Sequence, residues 1–165
     1  ETPIYVKTKA DLFKCDALII PGGESTVMSK MLDYNDLRKS ITDLKDKINI
    51  MGICAGMILL SSTNGYRNLN TLSIMDFEVE RNGFGRQINS FNSKIRFIPT
   101  NNDIKVSFIR APKISTFSNE NICLAKLNDS PIMLSDRRHI ACSFHPEFSS
   151  NHDIYKYFIN LVESC

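Results

Sequence analysis

The sequence predicts an α/β fold, a central and mostly parallel sheet with helices on both faces and an antiparallel β extension. Three observations predict it. Two short apolar runs, residues 15–20 and 48–53, each end at glycines and pass directly into a helical pattern; strand, turn and helix repeated in that order indicate parallel strands covered on both faces. From Thr71 onward the helical period gives way to short strand patterns separated by turns. Finally, 165 residues, 42% hydrophobic and 23% charged, suffice to bury one core, so residues 1–165 read as a single domain.

Taken in order, Ile4-Tyr5-Val6 is a short strand candidate followed by a polar segment through Lys14. Residues 15–20 form the next strand, ended by Pro21-Gly22-Gly23, which cannot continue a ladder. Glu24-Ser25-Thr26 opens a helix: Ser25 or Thr26 can cap it, and Val27, Met28, Met31 and Leu32 fall at helical spacing. Residues 33–47 carry Leu37, Ile41 and Leu44 at three-to-four spacing among charges, the pattern of an amphipathic surface helix. Residues 48–53 are a buried strand and Met57-Ile58-Leu59-Leu60 a buried helix. Beyond a polar loop at 64–70, residues 74–80, 95–98, 106–109 and 122–127 are strand candidates, and Asn101-Asn102-Asp103 is a turn. Residues 131–135 and 139–144 read as hairpin arms around Asp136-Arg137-Arg138, and 152–165 as a closing helix with Ile154, Tyr157, Phe158 and Leu161 on one face.

A net charge of +2, from 20 basic and 18 acidic residues, gives no basic surface for nucleic acid or an anionic membrane. No apolar run reaches transmembrane length. The five cysteines, Cys15, Cys54, Cys123, Cys142 and Cys165, form no C-x-x-C pair and leave one over in any disulfide scheme, which implies a reducing, cytoplasmic setting. Cys15, Cys123 and Cys142 lie in or beside apolar stretches and read as core packing.

Cys54 is different. Gly52-Ile53-Cys54-Ala55-Gly56 joins a strand to a helix and has the form of a nucleophile elbow, in which small neighbours permit a sharp bend that presents the side chain above the sheet. A helix N-terminus favours thiolate over thiol. The same residues also suit a small buried hydrophobe in a tight turn. A nucleophile needs a base and a group to orient that base. Of three histidines, His139 stands beside Arg137 and Arg138 in a turn and His152 opens a helix, both positions where a solvated side chain is commonplace. His145 follows an apolar run and precedes Pro146-Glu147. In extended backbone residues two apart point the same way, so Glu147 can lie beside His145 and fix its tautomer. Cys54, His145 and Glu147 thus form a candidate triad. The Ala55 N–H and the Gly22-Gly23 turn are candidate oxyanion donors, Gly23 supplying the second.

Five segments carry a resemblance: Pro21-Gly22-Gly23-Glu24-Ser25-Thr26, Gly52-Ile53-Cys54-Ala55-Gly56, Arg81-Asn82-Gly83-Phe84-Gly85-Arg86-Gln87, Phe108-Ile109-Arg110-Ala111-Pro112 and Ser143-Phe144-His145-Pro146-Glu147. In this order they resemble the glutaminase subunits of pyridoxal 5'-phosphate synthase, within the class I, triad-type glutamine amidotransferases, whose fold is flavodoxin-like. The resemblance implies a nucleophile at Cys54, with His145 and Glu147 completing the triad, and glutamine binding through Gly22, Gly23, Glu24, Arg81, Ile109 and Arg110. It departs at Ile53, where family members usually have threonine. Family chains also begin with a strand, an L-Q-G turn and a helix ahead of the position of Ile4; nothing here matches them, so that N-terminal strand and helix are expected to be missing.

The implied activity is hydrolysis of L-glutamine to L-glutamate and ammonia, through a γ-glutamyl thioester on Cys54, with the ammonia passing to a synthase (lyase) subunit for vitamin B6 biosynthesis. Neither metal nor bound cofactor is expected in this chain. Other readings are an amidotransferase subunit or γ-glutamyl hydrolase of another pathway, and a scaffolding subunit with an idle triad.

Overall fold

The computed structural model describes residues 2–64, 69–80 and 90–164, the side chains of residues 63 and 64 excepted. The polar segment near the start contains one helical turn, α1 (Lys9–Leu12), set by local hydrogen bonding rather than by hydropathy. Thr8 and Asp11 cap each other's backbone N–H groups, and Leu12 is buried. The strand expected at Ile4-Tyr5-Val6 does not form; residues 2–7 lie outside any strand, with Ile4 and Tyr5 exposed. An apolar run sets which side chains alternate, but a strand exists only where another strand supplies hydrogen-bond partners.

The two βα units form as expected. In the first, β1 (Ala17–Ile20) leads into α2 (Ser25–Tyr34), which is capped by Glu24 rather than by Ser25 or Thr26. Of the apolar residues on α2, Met28 and Leu32 pack on the core, whereas Val27 and Met31 face solvent. Helix α3 (Leu37–Leu44) buries Leu37 and Ile41, and β2 (Asn49–Ile53) leads into α4 (Ala55–Leu60), buried along its whole length.

The remainder is strand-rich: β3 (Ser61–Asn64), β4 (Met75–Glu80), β5 (Ser90–Phe97), β6 (Asn102–Ile109), β7 (Lys113–Phe117), β8 (Ile122–Leu127), β9 (Ser130–Ser135) and β10 (Ile140–Cys142), then α5 (Asp153–Glu163). Strands β3 and β7 are too polar to stand out in sequence, and pairing with β4 makes them strands. The main sheet has seven strands in the order β1-β2-β10-β9-β8-β5-β6. Its core β1-β2-β10 is parallel, and antiparallel pairing extends it from β9 to β6.

Alternation sends neighbouring residues of the parallel strands to opposite faces. Leu18, Ile50 and Ala141 join Met57, Leu59 and Leu60 of α4 and Phe77, Val79 and Ile114 of the small sheet. Met51, Ile140 and Cys142 join Phe97 and Phe108 of the β5-β6 hairpin and Ile154 and Phe158 of α5. Both faces therefore carry helices. The carboxyl ends of β1, β2 and β10 lie side by side, and the chain leaves them at Pro21, Cys54 and Ser143. This is the edge at which open α/β sheets bind ligands.

Candidate active site

The parallel ladder holds Cys54 one residue past β2, its N–H donating to the Cys142 carbonyl at 2.7 Å. There the chain turns sharply: Cys54 has φ 52° and ψ −103°, a conformation costly for a residue with a Cβ. The flanking glycines explain how the turn fits. A Cβ on Gly52 would stand 2.6 Å from the Gly56 carbonyl oxygen, and one on Gly56 would stand 2.1 Å from that of Ile20. No side chain fits at either position, so the elbow packs backbone on backbone against the end of β1.

The Cys54 thiol is buried and lies 3.7 Å from the Ile109 carbonyl, to which it donates. Burial pushes its pKa up to about 11; the Ala55 N–H pulls downward, and the Glu147 charge adds to the rise. The thiolate expected at a helix N-terminus is therefore not the resting form. Six residues of helix and one N–H do not offset the loss of solvent.

His145 follows β10, and its N–H donates to the Ser107 carbonyl of β6 at 2.8 Å. Cys54 and His145 are thus tied to the same strand, two residues apart. The imidazole Nδ1 meets Glu147 Oε1 at 2.6 Å. The carboxylate accepts, so Nδ1 carries the hydrogen and Nε2 remains the basic nitrogen. Sequence reasoning brings this pair together, but not by extended backbone: Pro146–Phe148 is a single 3-10 turn that folds Glu147 back over His145.

Gly22, at the end of β1, meets the imidazole from another side. A Cβ there would stand 2.4 Å from Cε1 and 3.3 Å from each ring nitrogen. Gly23 is next to it, against the Met28 side chain. The Glu24 carboxylate accepts from the N–H groups of Thr26 at 3.2 Å and Val27 at 2.7 Å, so both oxygens face the start of α2. Arg110 is exposed, with φ 48°, directly after the carbonyl that receives the Cys54 thiol. Arg81 lies outside the described residues.

His139 departs from the solvated position expected of it. It is 4% exposed and accepts the Ile50 N–H at 3.1 Å on Nδ1. The adjacent arginines signal surface, but the Asp136 carboxylate accepts from the N–H groups of Arg138 and His139 and folds the turn so that the imidazole points inward. His152 precedes α5 and is exposed, as expected. Three contacts at the site escape sequence reasoning. Those of the Cys142 and Ser107 carbonyls are made by backbone and leave no residue signature. The third is Phe148, directly after H-P-E, whose ring centroid lies 5.7 Å from that of His145.

The chain as a whole is similar to known proteins. Residues 2–164 match the model of the SNO glutamine amidotransferase family. The chain is 39% identical to the pyridoxal 5'-phosphate synthase subunit PdxT of Francisella philomiragia, over 94% of this chain and 83% of that one. It is 42% identical to the protein of that name from a Thermoanaerobacter species, over 96% and 85% of the two chains. A solved structure described as a glutamine amidotransferase superposes with a TM-score of 0.91 at 32% identity, covering 96% of this chain and 85% of that one. Agreement in sequence over nearly the whole chain and in backbone over the same span makes this chain a member of the SNO glutamine amidotransferase family.

Proposed function

We propose that the chain is a single amidotransferase domain that hydrolyses L-glutamine to L-glutamate and ammonia, with Cys54 as nucleophile, His145 as base and Glu147 as the group that orients and charges it. The observation that carries this reading is the elbow. Cys54 stands in a strained strand-to-helix turn at the end of β2, next to the strand end from which the His145–Glu147 pair departs, and the Glu147 charge reaches its thiol; strain of this kind persists where the surrounding structure enforces it.

The chemistry follows from the protonation states. At neutral pH Cys54 is a thiol, so Nε2 of His145 takes its proton as sulfur attacks the side-chain carbonyl carbon of glutamine. Glu147 stabilises the imidazolium. The oxyanion of the tetrahedral adduct is received by the Ala55 and Gly23 N–H groups. The C–N bond breaks, the imidazolium gives its proton to the departing nitrogen, and ammonia leaves a γ-glutamyl thioester. Water, deprotonated by His145, then attacks the thioester; the C–S bond breaks, glutamate is released and the sulfur recovers its proton.

Glutamine is held through Gly22, Gly23, Glu24, Arg81, Ile109 and Arg110. An arginine matches the α-carboxylate of a free amino acid, and carbonyl or carboxylate oxygens match its ammonium. The relatives are named as subunits of pyridoxal 5'-phosphate synthase. Accordingly, the ammonia released here passes to a synthase subunit for vitamin B6 biosynthesis, and that subunit carries out the cofactor chemistry.

The test is glutamate release from glutamine by the wild type and by Cys54→Ala, with and without a purified synthase subunit. Loss of turnover in the variant is the expected result, and substantial turnover would remove the mechanism. A glutamine-derived chloroketone separates an active site from an idle scaffold, because only the former labels Cys54 ahead of the other cysteines.

A further inference from the structure

Phe148 ends the 3-10 turn after His145 and is 64% exposed. Single exposed apolar side chains are common and mean little alone. What distinguishes this one is the set of contacts on the ring it faces. The His145 backbone is pinned to Ser107, Nδ1 is held by Glu147, and Cε1 abuts Gly22. Phe148 places its ring 5.7 Å from the imidazole, centroid to centroid, at a 37° tilt. Its ring also borders a shallow cleft of about 220 Å³ with Asn92, Ser107 and Ile109, the last being the residue whose carbonyl receives the Cys54 thiol.

We propose that Phe148 is a positioning residue, its ring bracing the His145 imidazole against Gly22 and keeping Nε2 in line for proton exchange at Cys54. The proposal rests on the reading of Cys54 as nucleophile and His145 as base. A physical need for the brace follows from the hydrogen bonding. One Nδ1–carboxylate bond fixes a point on the imidazole but leaves the ring free to swing about it, and the Glu147 side chain is itself 40% exposed. Gly22 limits the swing at Cε1, and the Phe148 ring adds a second contact on the imidazole. Because Phe148 acts through His145, its loss falls on the chemical step rather than on glutamine binding.

The test compares the wild type with Phe148→Ala and Phe148→Tyr in the full chain. Two readouts apply: glutamate release, and inactivation by a glutamine-derived chloroketone resolved into a maximal rate and a half-saturating concentration. Losing one aromatic contact lowers kcat and the maximal inactivation rate about three- to tenfold in Phe148→Ala. KM and the half-saturating concentration stay at their wild-type values. Phe148→Tyr, which restores a ring, retains wild-type rates. The urea midpoint of Phe148→Ala matches the wild type, because the side chain is mostly in solvent.

Three results overturn the proposal: an unchanged kcat in Phe148→Ala, a loss confined to KM, or a Phe148→Tyr variant as slow as the alanine one. Wild-type protein whose Cys54 is not labelled at all refutes the underlying reading of the site, and that failure is visible before any variant is made.

Discussion

Replacing Gly22 with alanine tests the geometry of the site with a single methyl group. The added Cβ would stand 2.4 Å from His145 Cε1, and carbon–carbon contacts are comfortable near 3.5 Å, so the imidazole or the β1 turn must yield by about 1 Å. The imidazole has little room to do so. Its backbone N–H is held at 2.8 Å by the Ser107 carbonyl and its Nδ1 at 2.6 Å by Glu147, and the Phe148 ring centroid lies 5.7 Å from that of the imidazole. A displacement of that size at a reacting group costs about a hundredfold in rate, or about 2.7 kcal/mol of transition-state stabilisation. Stability behaves differently. The backbone of Gly22 does not adopt the left-handed φ that an alanine resists, so a methyl there restricts the unfolded chain and offsets part of any native strain by about 0.4–1 kcal/mol. The assay is steady-state glutamate release alongside urea unfolding. Gly22→Ala should be about a hundredfold slower in kcat/KM, with an unfolding midpoint close to wild type. A folded variant with wild-type turnover would refute the claim that Gly22 and the imidazole share this contact in the working enzyme.

Three further outcomes follow from other contacts. Gly56→Ala places a Cβ 2.1 Å from the Ile20 carbonyl oxygen and 2.8 Å from its carbon, both backbone atoms of a buried residue; unfolding free energy should drop by about 3 kcal/mol, and an unchanged urea midpoint would contradict the packing. Burial, reinforced by Arg138 and Lys45 and opposed by Asp136 and Asp46, lowers the pKa of His139 below its ordinary 6.5. The native state therefore binds a proton less readily than the unfolded chain, so this contribution is complete above pH 6.5 and is lost as pH falls below it. Urea unfolding of His139→Gln should lack that acid-side slope, and superimposable profiles for the two proteins would remove the assignment. With its pKa at about 11, Cys54 should react with iodoacetamide about tenfold faster per pH unit across the neutral and mildly alkaline range; a plateau near neutral pH in peptide-resolved labelling would mean that the thiol ionises more readily than its burial implies.

The parts of this molecule that were legible in sequence are those settled by neighbours in the chain. The runs at 15–20 and 48–53 carry their own length, apolarity and terminating glycines, and β1, β2 and the elbow follow. The G-x-C-A-G spacing identified a tight turn, and the structure supplies the reason, since Gly52 and Gly56 each stand where a Cβ would strike backbone. What was not legible depends on partners remote in sequence. Ile4-Tyr5-Val6 has the composition of a strand and no strand beside it. His139 has charged neighbours, yet it spends Nδ1 on an N–H 89 positions away. The His145–Glu147 pair was anticipated for the wrong backbone, because proline at the first position of a 3-10 turn serves as well as proline in an extended segment.

The raised pKa of Cys54 links these observations. A buried, neutral thiol is a poor nucleophile, so the elbow alone accounts for little reactivity. Reactivity at neutral pH depends on a base that accepts the proton as the sulfur attacks. The structure concentrates its constraints on His145, the base of the proposed mechanism: a backbone anchor from β6, a carboxylate on Nδ1, a glycine from the β1 turn at Cε1, and the Phe148 ring 5.7 Å away. All four act on the histidine rather than on the sulfur. An enzyme that kept a standing thiolate would need no such cage, and it would be open to any electrophile that reached it. Under the proposed mechanism, tying ionisation to a correctly held histidine makes the cysteine reactive only when the turns after β1, β2 and β10 are in register, which couples the chemistry to the local order of three separate strand ends.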